Sequence, residues 1–187
     1  MILISAIGNG DVRYHNTRHN AGYCALDVLK QALRYEGFTA HDVFKHERHL
    51  RSDIVRVKWG GGEVIILQKA KGEMNTSGEV IERVYEKYDI DHFILFHDDL
   101  DLKLGEYKIQ RGKSPHCHNG VKSVEEILGT TDFLRVRIGI ENRESREIPG
   151  EEYVLKRFTK EEREVLNITL FKACEELLTK DIFERWI

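Results

Sequence analysis

The stretch that most constrains this chain is its beginning, where residues 1–7 (MILISAI) form an apolar, β-branched run that stops at Gly8-Asn9-Gly10. A run this short, bounded by glycine, reads as a buried strand. A helical period follows from His19, with Ala21, Ala25, Leu26, Leu29 and Leu33 on one side of a helix expected over 19–36. The carboxyl end of a buried strand, carrying the amide of Asn9, therefore meets a helix start carrying the imidazole of His19. In open α/β folds that crevice is where ligands bind. An imidazole there titrates near neutral pH and can serve as a base.

The rest of the chain keeps alternating. Strands are predicted over 53–59 and 63–68, joined by a hairpin turn at Gly60-Gly61-Gly62, then a helix over 75–88 with Val80, Ile81, Val84 and Tyr85 on one side. Residues 92–97 (HFILFH) form another continuous apolar strand, ending in Asp98-Asp99. A strand at 106–110, a short helix at 119–128 and a strand at 134–140 follow. In the last of these, Arg135 and Arg137 share one face, and Leu134, Val136 and Ile138 share the other. Thr159, with Glu161 and Glu162 behind it, is read as the cap of a final helix running to about residue 179. Strands interleaved with helices define an α/β chain, expected to be a three-layer sandwich with a mixed, mostly parallel sheet flanked by helices. A length of 187 residues fits one domain spanning 1–187.

The net charge of −3 gives no global attraction to nucleic acid, so a polyanion would need a local basic patch. No apolar run approaches the ~20 residues of a membrane span. The first strand has no basic segment before it, unlike a secretion signal. Cys24, Cys117 and Cys174 are odd in number and far apart, the pattern of reduced thiols in a cytoplasmic protein. His116, Cys117 and His118 are metal-ligand residue types, as is the pair His97-Asp98, but neither a Cys-x-x-Cys nor a His-Glu-x-x-His spacing occurs. No metal is expected. A glycine motif for cradling phosphates is missing as well. The polar candidates Asn9, His19, Asn75, Asp98 and the pair His118-Asn119 each fall just after an apolar strand or at a helix start. Taken singly, an Asn beside Gly is a turn or cap residue, and adjacent acids are a solvated pair. In an open sheet, however, such positions converge on one rim.

These residues also stand in a wider pattern: Asn9-x-x-x-x-Tyr14-x-x-Thr17-Arg18-His19-Asn20-x-Gly22, Met74-Asn75-x-Ser77-Gly78, Asp98-Asp99-Leu100-Asp101-Leu102-x-x-Gly105, His118-Asn119-Gly120 and Arg135-x-Arg137-Ile138-Gly139-Ile140. In this order and spacing the chain resembles the bacterial-type peptidyl-tRNA hydrolase family, from residue 1 to about Phe158, where Tyr153-Val154-Leu155-x-x-Phe158 also fits. The resemblance implies cleavage of the ester between a peptide and the 3′ ribose of tRNA, recycling tRNA from aborted translation with neither metal nor cofactor. Residue by residue it implies His19 as the general base, Asp98 as the group that orients it, and Asn119 as the residue that places water or stabilises the oxyanion. Asn9 and Asn75 would hold the substrate between walls of Tyr14 and Met74, with His118 supporting its loop. The family also implies a monomer.

An RNA substrate needs a basic surface, and Lys103, Lys108, Arg111, Lys113 and Lys122 cluster around the Asp98 and Asn119 motifs. By position, Lys108 and Arg137 resemble family residues that contact tRNA phosphate, with Lys113 close by in sequence and Arg135 beside Arg137 on one strand face. The acids of the last third, Glu147, Glu151, Glu152, Glu161, Glu162, Glu164, Glu175 and Glu176, are expected to face away from the RNA. Three departures from the family pattern stand out. Gly10-Asp11 replaces proline and glycine and is expected to loosen Asn9, Glu73 replaces an aromatic residue, and the loop 112–117 is bulkier, with His116 and Cys117 expected to narrow the site. The rival reading is an RNA-binding relative of the same fold without turnover.

Overall fold

A computed structural model describes residues 1–40, 43–58, 64–112, 117–145 and 147–179. The turn expected at Gly60-Gly61-Gly62, and the residues Lys113 and His116, lie outside these segments.

One sheet organises the chain. Its strands are β1 (Ile2–Ala6), β2 (Thr39–Ala40), β3 (Lys45–Glu47), β4 (Ser52–Lys58), β5 (Val64–Ala70), β6 (His92–Lys103), β7 (Tyr107–Arg111) and β8 (Leu134–Glu141). Across the sheet they run β2-β4-β5-β1-β6-β8-β7, with β3 also paired to β4. The four central strands β5, β1, β6 and β8 are parallel to one another, while β2, β3 and β4 on one side and β7 on the other pair antiparallel. The sheet is thus mixed, with its parallel part in the middle. That is the arrangement that places ligand sites at the carboxyl ends of the central strands.

Every residue of β1 is buried, as its apolar run implies for a strand covered on both faces. Ile2, Ile4 and Ala6 enter a core shared with the helices α1 (Ala21–Tyr35) and, from the far end of the chain, Lys160–Leu178. Leu3 and Ile7 enter a second core on the opposite face, built with α2 (Ser77–Lys87) and α3 (Asn119–Leu128). Each fully buried Leu or Ile side chain contributes roughly 1.5–3 kcal/mol, so the alternation along one strand fixes which helices lie on which side. A short helix α4 (Gly150–Tyr153) precedes the last helix, α5 (Lys160–Leu178).

Two close approaches bring the helix starts onto the sheet's rim. A Cβ at Gly22 would lie 2.8 Å from the Phe96 carbonyl oxygen and 3.1 Å from that of Ile7, so the start of α1 rests directly on the ends of β6 and β1. A Cβ at Gly78 would lie 2.2 Å from the Ser123 carbonyl oxygen, and the Gly78 amide donates to Ser123 Oγ at 3.0 Å. That contact locks the turn Met74–Thr76 and α2 against α3.

At the other end of the chain, Thr159 and Glu162 form a reciprocal capping box that starts α5. The Glu162 carboxylate also accepts the Arg18 guanidinium at 2.6 Å on both oxygens. Arg18 in turn donates to the carbonyls of Lys156 and Arg157 and lies 4.2 Å over the Tyr153 ring. It is buried, and it anchors the residue that follows it.

One boundary differs from expectation. β6 does not end at Asp98-Asp99 but continues to Lys103, with Asp98 opposite Ile138 and Asp99 opposite Gly139 on β8. Both acids are buried, which is affordable because each meets an opposite or hydrogen-bonding partner there.

Candidate active site

Asn9 follows β1 and makes a bridge to Gly72, whose carbonyl also accepts the Gly10 amide at 3.3 Å. Its backbone is gripped by Asn20, whose Oδ1 accepts the Asn9 amide at 2.7 Å and whose Nδ2 donates to the carbonyls of Asn9 at 3.1 Å and Tyr14 at 3.0 Å. The loosening expected from Gly10-Asp11 is therefore not seen. Asn20 pins the peptide from the helix side, and the charge of Asp11 is met by Arg13. Asn20 is buried and was given no role from sequence; an Asn at a helix start reads as an ordinary cap.

His19 sits in the turn Arg18–Asn20 that leads into α1, with its amide donating to the Val154 carbonyl at 2.8 Å. Its Nδ1 meets Asp98 Oδ1 at 2.8 Å, and His118 Nε2 meets the same oxygen at 3.1 Å. The His19 and His118 rings lie 5.2 Å apart, and those of His118 and His97 are also 5.2 Å apart. His118 is the N-cap of α3, and its Nδ1 accepts the Val121 amide at 3.3 Å. That contact assigns the ring's proton to Nε2, which donates it to Asp98. Asp98 takes the Nδ1 proton of His19 as well, leaving His19 Nε2 as the unprotonated nitrogen.

Burial disfavours the imidazolium of His19, but the charge of Asp98 and its hydrogen bond outweigh this and hold His19 above the ordinary value of 6.5. Burial likewise opposes ionisation of Asp98, yet the two imidazoles hold its carboxyl far below the usual carboxylate range.

The donor atoms of His19, Asp98 and His118 all lie within 4.8 Å of one another, close enough to raise the question of a metal. The donor chemistry does not fit one. A metal on His118 Nε2 would require the neutral ring to carry its proton on Nδ1, where the Val121 N–H already points. The trio shares protons instead.

This group opens onto a cleft of about 1110 Å³ lined by Asn9–Asp11, Arg13 and Tyr14, by Arg51, by Lys71–Met74, by Asp98–Asp101, by Cys117–Asn119, and by Pro149–Glu151, Val154 and Leu155. Asn9, Tyr14, His19, Met74, Asp98, His118 and Asn119 all line it, as does Glu73. Cys117 lines it too, exposed, as expected of that loop. Asn75 does not. It is exposed on the turn beside Met74, outside the lining.

The basic surface needs correction. Arg135 and Arg137 do share one face of β8, but both are buried, Arg135 against Glu125 of α3 and Arg137 against the acids of β6. Arg135 pairs with Glu125 of α3 and packs its guanidinium over Phe133 at 4.0 Å, and Arg137 Nε donates to Asp99 Oδ2 at 2.5 Å. An exposed phosphate contact through Arg137 is not what this geometry offers. Lys103, Lys108 and Lys122 are exposed, Lys108 on β7 directly opposite Arg137. Nor do the acids of the last third form one outward face, since Glu151 lines the cleft and Glu162 is buried against Arg18.

Fold and site together are those of an α/β protein with a hydrogen-bonded imidazole–carboxylate group opening onto a cleft at the carboxyl edge of its sheet. Residues 3–185 match the family described as peptidyl-tRNA hydrolase. Among curated relatives, the peptidyl-tRNA hydrolase of Bacillus velezensis is 36% identical over 98% of this chain and 95% of its own length. That of Campylobacter concisus is 37% identical over 98% and 93%. A crystal structure of peptidyl-tRNA hydrolase from Acinetobacter baumannii superposes with a TM-score of 0.80 at 25% identity, covering 99% of this chain and 91% of that one. The chain belongs to the peptidyl-tRNA hydrolase family.

Proposed function

We propose that this protein hydrolyses peptidyl-tRNA, cutting the ester between the peptide's carboxyl group and the 3′ ribose. The observation that carries the reading is the His19–Asp98 pair, 2.8 Å apart and opening onto a cleft rimmed by carboxamides. His19 Nε2 takes a proton from water, and the water oxygen bonds to the ester carbonyl. As the intermediate collapses, the bond to the ribose oxygen breaks and that oxygen receives the proton from His19. An ester is already activated. Base catalysis worth ~10²–10⁴-fold and an oxyanion donor worth ~10²–10³-fold suffice without a covalent intermediate.

In this scheme Asn119, at the first position of α3, stabilises the oxyanion or places the water. Asn9 holds the substrate from the floor, with Tyr14, Met74 and His118 completing the walls. Lys108, with Lys103 and Lys113 near it in sequence, meets tRNA phosphates, so affinity for tRNA falls as salt is added. The chain works as one domain and as a monomer. Its three unpaired cysteines are consistent with a reducing cytoplasm. Among the described residues, no helix is long and apolar enough to cross a membrane.

The decisive test is release of the blocked amino acid from N-acetyl-aminoacyl-tRNA. The wild type is expected to release it, and His19→Ala is expected to lose at least ~10²-fold in rate. Tight tRNA binding without release would instead favour the non-catalytic RNA-binding relative. Salt-independent binding would remove the lysine patch from the picture.

A further inference from the structure

We propose, on the hydrolytic reading above, that His97 is a positioning residue: its Nδ1–H holds the Asp98 peptide carbonyl while its ring backs His118, so that one Asp98 oxygen stays aimed at both imidazoles.

His97 is fully buried within β6, and its side chain emerges on the face opposite to that of Asp98. Its Nδ1 lies 2.7 Å from the Asp98 carbonyl oxygen, which makes Nδ1 the protonated nitrogen and the carbonyl the acceptor. Nε2 then carries a lone pair that meets no hydrogen-bond donor among the described residues. Leaving a buried acceptor unmet costs ~1–3 kcal/mol, and an apolar side chain of similar size would avoid that cost. What an imidazole adds at this place is the Nδ1 donor and a flat edge for His118, whose ring meets it at 75°.

The held carbonyl is a sensitive one. The pairing of β6 with β8 runs regularly through Asp99 and then shifts register before Lys103. The Asp98–Asp99 peptide is therefore the last stretch of regular ladder before an irregularity, and fixing its plane fixes the direction of the Asp98 side chain. Burial also pushes His97 down to about 3, so its ring stays neutral and adds no positive charge beside the other two imidazoles. His97 is not placed to carry the proton. It sets where the carboxylate points.

Two substitutions separate the donor from the ring. His97→Phe keeps an aromatic ring against His118 and removes the donor, whereas His97→Asn sets an amide N–H where Nδ1–H was and removes the ring. With N-acetyl-aminoacyl-tRNA as the probe, His97→Phe is expected to lower kcat ~10–100-fold, leave KM unchanged and move the acidic limb of kcat/KM to lower pH. His97→Asn is expected to restore most of both. NMR titration of the His19 ring should follow the same order. It needs no turnover, so a wild type that fails to release the amino acid would overturn the hydrolytic reading without deciding this one. Wild-type kcat and His19 titration in His97→Phe would overturn the proposal. So would equal impairment of both variants with an unmoved acidic limb, which is the signature of packing alone. If His97→Phe does not fold, His97→Met is compared with His97→Asn instead, since both lack the ring and only the second keeps a donor.

Discussion

Asp98 and Asp99 are adjacent on β6 and equally buried, yet they face opposite sides of the sheet and meet different company. Asp98 accepts from the imidazoles of His19 and His118, and it lines the open cleft. Asp99 accepts the Arg137 guanidinium on one oxygen and the Asp101 amide, at 2.8 Å, on the other. Its partner is a guanidinium, which only donates. Two residues back on the same face, Arg135 is neutralised by Glu125 of α3. A buried carboxylate is thus not in itself a sign of catalysis. What separates the two neighbouring acids, both of which line the cleft, is the partner: imidazoles on Asp98, a guanidinium on Asp99.

Substitutions on the two faces should part company accordingly. The largest effect is expected from Asp98→Asn, a ~10²–10⁴-fold fall in ester release. In the proposed mechanism the working base is neutral His19, so kcat/KM should fall as pH drops through a value above 6.5. Without the Asp98 charge, burial is left unopposed and that limb should move to lower pH. A pH–rate profile flat from mildly acidic to neutral pH would contradict the assignment of His19.

Asp99→Asn removes the nearer carboxylate from a buried guanidinium, leaving Asp101 at 3.9 Å, and should cost ~1–3 kcal/mol of stability, read by denaturant unfolding. The acidic limb of the folded protein should stay where it is. If this variant moved the limb and left stability intact, the contrast between the two faces would be wrong. The smallest effect belongs to His118→Asn, which keeps a good N-cap for α3 but removes one donor from Asp98. His19 would then face the carboxylate with less competition. The limb should move to higher pH, opposite in sign to Asp98→Asn, with a kcat loss of about tenfold.

The same contrast explains what could be read from sequence. The apolar run 1–7 and the period of residues 119–128 are local signals, and they match β1 (Ile2–Ala6) and α3 (Asn119–Leu128) closely. Alternation in 134–140 correctly put Arg135 and Arg137 on one face. Which layer covers that face is decided by Glu125 and Asp99, from elsewhere in the chain, and so an exposed basic patch was expected where a buried one exists. The gathering of His19, Asp98 and Asn119 on one rim follows from strand ends and helix starts together with the family pattern. His97, read from sequence only as a metal-ligand residue type, and Asn20, read only as part of the family pattern, gave no sign of their structural roles for a related reason. One is hidden inside an apolar strand and the other inside a helix start, and both act by holding backbone.

The ion pair between Arg18 and Glu162 reaches beyond stability. Because Glu162 opens the final helix and Arg18 immediately precedes His19, the two ends of the polypeptide are stapled beside the reacting centre. A proteolytic nick or truncation ahead of Thr159 would unseat the base although the lost segment need never touch RNA. Heat inactivation should accordingly track the detachment of that helix.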